Sequence, residues 1–234
     1  FSSGEAGYAP PASGTTADPS LAAIGGKARL GTGPGMHRFT WDMEYPGPVV
    51  PPGLEAGAYG RPTTRGPLAA PGRYAARLIA DGDTLTEPFG LRIDPRVEAD
   101  GTSVEDLRGQ LALNRRIRDG AARARLLAAR IVAAAAEVDT ALAAAGGGDR
   151  SERLRGLREA LSTLADSVLT PGDVAYPRPM LVDQLDYLYG LDTSADQRPG
   201  RDAATRLDTL TARTERYARR LGELEDRVRE LAGR

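Results

Sequence analysis

From Leu107 onward apolar residues recur at alternating steps of three and four, and a helix with that spacing cannot leave its apolar stripe in water. The stripe runs Leu107, Gln110, Asn114, Ile117, Ala121, Ala124, Ala128, Ile131, Ala135, Val138 and Leu142, with nine of its eleven positions apolar, and it ends at Gly146-Gly147-Gly148. At ~1.5 Å per residue it predicts a helix about 60 Å long. Thr102-x-x-Glu105 reads as its capping box. A second seam, Leu154, Leu157, Leu161, Leu164 and Val168, stops at Thr170-Pro171-Gly172; a third, Leu207, Leu210, Thr214, Tyr217, Leu221, Leu224, Val228 and Leu231, is interrupted only by Thr214. Three such stripes must cover one another. The expectation is an antiparallel α-helical bundle over 98–234, with helices at about 103–145, 151–169, 180–190 and 201–232, the third being a short one set between longer neighbours.

The first hundred residues differ in kind, holding 16 Gly and 13 Pro against 12 and 4 in the remaining 134. Residues 1–26 carry no periodicity and read as an extended arm or loop. MHRFTWDM (36–43) alternates, placing His37, Phe39, Trp41 and Met43 on one strand face. Asp81-Gly82 between RYAARLIA (73–80) and TLTEPFGLRI (84–93) predicts a tight hairpin, and Pro88 marks its second strand as an edge or a bulge. The segment 27–97 thus reads as a small β-sandwich with a core of Trp41, Tyr74, Leu78 and Leu91, which makes the chain a multidomain α+β protein.

Charge and composition narrow the function. With 31 Lys+Arg against 32 Asp+Glu, there is no positive excess for nucleic acid. With no Cys and one His, thiolate chemistry, disulfides and multi-His metal sites are excluded. No stretch approaches the ~20 apolar residues of a membrane span. His37 points away from Asp42 and Glu44 on the strand pattern, so those three form no acid–base set, and no catalytic residue is assigned. Asp192, Asp196 and Asp202 miss calcium-loop spacing, and GTGPG (31–35) lacks the Lys-Ser/Thr of a phosphate loop, so neither metal nor cofactor is expected. Arg115, Arg116, Arg118, Arg123, Arg125 and Arg130 read as a solvated helix face. The candidate binding surface is the segment 175–200, where Tyr176, Arg178, Asp183, Asp186, Tyr187 and Tyr189 could line a sugar- or peptide-binding notch, against the plainer reading of a packed crossover.

Arg38-Phe39-x-Trp41-Asp42 with Tyr45-Pro46, Pro71-Gly72-x-Tyr74 and Asp94-Pro95-Arg96, in that order ahead of a long helix, resemble the C-terminal region of bacterial sortilin-like, BNR-repeat β-propeller proteins, over roughly residues 27–230. The resemblance implies that 27–97 is an immunoglobulin-like sandwich, that the chain is exported, and that any glycosidase-type label belongs to a propeller, of which no blade is visible here. Gly35-Met36-His37 departs from the family pattern before Arg38-Phe39. It also implies that Phe1-Ser2-Ser3 is the tail of a strand, leaving a free sheet edge that could bind the propeller part, another chain or a second copy. The leading expectation is a non-catalytic accessory region supporting assembly or partner binding; the alternative is a glycan-binding, sialidase-associated module.

Overall fold

A computed structural model describes residues 33, 35–54, 65–172 and 176–232; the expected arm at 1–26 and the strand tail at its start lie outside them. Helix α2, Val104–Ala144, is the axis of the molecule. Its first turn is closed by Ser103 and Asp106: the Asp106 N–H donates to Ser103 Oγ at 3.1 Å and the Ser103 N–H to Asp106 Oδ2 at 3.0 Å. The capping box thus sits one residue later than Thr102-x-x-Glu105, because the Thr102 N–H is already spent on Val97 O, at 3.2 Å, in the preceding turn. Nine of the eleven predicted seam residues are buried, and Ala135 and Leu142 are half-buried. Burial also extends to Leu113, Ala122, Arg125, Leu127, Ala134 and Ala141, since α2 is covered on more than one side.

The cover is three-stranded. Three glycines with positive φ (57°, 106° and 79° at Gly146, Gly147 and Gly148) turn the chain back into α3, Asp149–Val168. Helix α4, Leu181–Asp192, continues in the same direction, and α5, Arg201–Ala232, runs parallel to α2, as the ion pairs Arg116–Asp208 and Arg130–Glu225 show. Helices α3 and α4 therefore act end to end as one interrupted rod against α2 and α5. Leu154, Leu157, Leu161, Leu164 and Val168 of α3, Leu181, Leu185 and Leu188 of α4, and Leu207, Leu210, Leu221, Leu224 and Val228 of α5 join the α2 seam in one core. Thr214 is tolerated there because its hydroxyl donates to Leu210 O at 2.9 Å. Among the described residues no helix is long and apolar enough to cross a membrane.

The expected sandwich is not present: the described residues contain one two-stranded antiparallel sheet, β1 (Gly72–Ala80) and β2 (Asp83–Leu91), beside five helices. Its hairpin turn is Asp81-Gly82, with φ of 52° and 88°. The segment 36–43 is no strand; only an isolated bridge joins Glu44 to Leu68. Two causes are visible. Met43 takes a left-handed φ of 63°, which breaks the extended run. Beyond it, prolines remove ladder donors and helix arginines take the carbonyls: Arg118 donates to Pro46 O and Arg125 to Val49 O, each at 3.1 Å. Trp41 and Tyr74 do meet, but Leu78 is exposed rather than core. Asp94 caps a helix that the alternation reading passed over, α1 (Pro95–Ala99), with Pro at its first turn.

Leu161 is fully buried at the centre of the bundle. Leu161→Ala should lower the free energy of unfolding by about 3 kcal/mol, read from urea denaturation followed by helical circular dichroism. Acid should also act on the caps. Asp94 is held at about 2 by the Arg96 side chain, and hydrogen bonds from Arg198 and Ser103 hold Asp106 well below the usual carboxylate range. Depressed carboxylates stabilise above their unfolded pKa, near ~4, and lose that contribution as pH falls through the folded value. Asp94→Asn/Asp106→Asn should therefore lose less of its urea midpoint than wild type between about pH 5 and about pH 3.

Candidate functional site

Helix α4 divides the six candidate residues. Leu181, Leu185 and Leu188 anchor it on the bundle, which turns Asp186 and Tyr189 inward and Tyr187 outward. Tyr189 is 1% exposed, and its hydroxyl donates to Arg65 O at 2.9 Å. Asp186 Oδ1 accepts from Arg125 Nη2 at 2.5 Å. Tyr187 and Tyr176 are 72% and 99% exposed, Arg178 is exposed and Asp183 half-buried. Two members of the set are thus consumed in packing α4, and two tyrosine rings remain available to solvent.

Arg125 is a buried residue that the charge pattern concealed. Read as part of a solvated face, it is instead 1% exposed, donating both to Asp186 and to Val49 O. Its neighbours Ala121, Ala122, Ala124 and Ala128 are all buried, and their small side chains leave volume for a long one; that run of alanines was the available signal. Burial pushes the Asp186 carboxyl upward even with the guanidinium beside it. Arg115 lies over the Tyr45 ring at 5.1 Å, and Arg118 bonds Asp119 as well as Pro46 O. Arg116 and Arg130 pair with α5, so only Arg123 in this series behaves simply as surface.

These contacts seat the segment 41–54 on α2. Trp41 Nε1 donates to Glu44 O at 3.2 Å, and the Glu44 carboxylate accepts from the Arg65 guanidinium and the Gly66 N–H. A Cβ on Gly66 would lie 1.5 Å from Tyr45 O, so only glycine fits where these strands of chain cross. Asp42 Oδ1 accepts from the Glu44 N–H, and His37, exposed, bonds to Gly33 O nearby. Among the described residues no group of three His, Cys, Asp or Glu is placed to hold a metal.

A cavity of about 250 Å³ opens where the hairpin base meets the bundle, between Leu68, Pro71 and Ile93 on one side and Leu107, Gln110 and Asn114 on the other. Gln110 Nε2 donates to Asp192 O and Ala195 O, both at 2.7 Å, and so closes the C-terminal end of α4. Asn114 Oδ1 and Asp192 Oδ2 are buried without a protein donor, and burial pushes the Asp192 carboxyl upward.

Above the cavity stands the hairpin. Tyr74 and Phe89, paired across the strands, stack at 5.9 Å under Trp41, whose ring lies 5.6 Å from the first and 6.1 Å from the second. The same face continues through Ala76, opposite the exposed Glu87, to Leu78 opposite Leu85, which are 54% and 68% exposed. Trp41 covers only the base of this apolar row. No family model, curated protein or solved structure matches the chain.

Removing one partner of a buried ion pair strands the other, whereas removing both does not. Arg125→Met should cost about 3 kcal/mol of stability, and Arg125→Met/Asp186→Leu clearly less than the sum of the single changes, as a double-mutant cycle in urea would read.

Proposed function

We propose that this chain is a non-catalytic accessory region of an exported sortilin-like β-propeller protein, and that it supports assembly by holding a partner polypeptide, the propeller part being that partner. The observation that carries this reading is the hairpin's apolar face, which is continuous along β1 from Tyr74 through Ala76 to the exposed Leu78, and is broken on β2 only by Glu87 between Phe89 and the exposed Leu85. Exposed apolar surface is what an association site requires. Three of the residues behind the family resemblance support the reading in a second way, because they hold backbone or cap a helix where hairpin and bundle meet. Trp41 bonds Glu44 O, the Tyr74 hydroxyl donates to Ala70 O at 2.6 Å, and Asp94 caps α1 while pairing with Arg96. Asp42, Glu44 and Asp186 are each engaged in holding backbone or a cation, which favours binding over catalysis.

The test is sedimentation velocity of the chain mixed with a sortilin-like propeller. Wild type should associate, and Leu78→Glu/Leu85→Glu should weaken association by more than about tenfold, the scale expected when two leucines lose an apolar partner, while helical circular dichroism stays unchanged. Absence of association, or equal association of wild type and variant, would remove the reading.

A further inference from the structure

We propose that the outer edge of β1 receives an extended polypeptide strand whose side chains alternate apolar and acidic; this rests on reading the hairpin as the partner-binding surface. The two-residue turn closes on Ala80 opposite Asp83, so that pair exchanges both of its hydrogen bonds and the pattern then alternates along the strands. The pairs Ile79–Thr84, Arg77–Thr86, Ala75–Pro88 and Arg73–Gly90 fall on the non-bonded steps, and their backbone groups point outward.

The two edges are therefore unequal. On β2 the outward row includes Pro88, which has no N–H, so the middle of that edge cannot donate. On β1 the outward row of Arg73, Ala75, Arg77 and Ile79 has every donor and acceptor, no described residue pairs with them, and all four residues are exposed. Strand addition at this edge gives affinity through main-chain bonds and selectivity through alternate side chains.

The chemistry of the guest follows from the two faces. Side chains beside Tyr74, Ala76 and Leu78 would extend the apolar row that Trp41 begins, so they must be apolar. Side chains beside Arg73 and Arg77 lie on the opposite face, where no described residue pairs with either guanidinium, so they must be acidic. A second copy is a poor guest. Pairing β1 with β1 sets four guanidiniums on one face of the joint, and pairing β1 with β2 meets Pro88.

The test uses the whole chain and two acetylated, fluorescently labelled nonapeptides, one alternating Val with Glu and one alternating Val with Lys, matched to the nine residues of β1. Anisotropy should show the Val–Glu peptide binding at least about tenfold more tightly than the Val–Lys peptide. Ala75→Pro should abolish binding and Thr86→Pro should leave it unchanged, since each removes an outward N–H that the hairpin's own ladder does not use. Arg73→Glu/Arg77→Glu should invert the preference between the peptides. Equal binding of the two peptides, equal loss in the two proline variants, or no binding at all would overturn the edge assignment. If the peptides fail while Leu78→Glu/Leu85→Glu still breaks the propeller complex, the edge assignment falls and the accessory reading stands; if that complex never forms, the accessory reading falls independently.

Discussion

A helix of 41 residues with an apolar seam along most of its length needs cover over about 60 Å, and among the described residues no other helix except α5 approaches that span. The rest of the architecture answers this requirement. Helix α5 lies parallel along α2, and α3 and α4 divide the third position between them, one over each half. Two polar side chains buried on α2 meet α4: Gln110 closes its C-terminal end, and Arg125 reaches the Asp186 carboxylate near its middle. An apolar residue at either position would pack but would leave a carbonyl or a carboxylate without a partner.

The same helix also seats the N-terminal segment, by a different kind of bond. Stretches rich in proline cannot build a sheet of their own, yet their carbonyls still require donors. Arg118 and Arg125 supply them from α2, and Tyr189 does the same for Arg65 O from α4. The β hairpin is thus attached through the segment preceding it and through the three rings at its base, and its far half projects without cover. An isolated hairpin of two strands is marginal in water, so this attachment is what makes it a usable surface.

What could be read in the sequence was what periodicity encodes. The spacing of Leu154 to Val168 and of Leu207 to Val228 marks the residues that are buried, and Asp81-Gly82 marks the turn. The alternation at 36–43 misled because alternation states which faces differ, not whether a neighbouring strand exists; the left-handed Met43 and the competing arginine donors are tertiary facts with no local pattern. Arg125 was concealed for a related reason: charge suggests solvent, and only the surrounding alanines hint at space. The candidate surface divided because the 3.6-residue turn of α4 sets Tyr187 and Tyr189 on different sides.

The interruption between α3 and α4 has a mechanical consequence. The segment before the hairpin is tied to α2 through Arg125 and to α4 through Tyr189, and among the described residues no hydrogen bond ties it to α3. Of the two halves of the interrupted rod, α4 is therefore the one whose loosening would also release the segment before the hairpin. A continuous third helix would have tied that segment to its whole length; the break limits the coupling to α4.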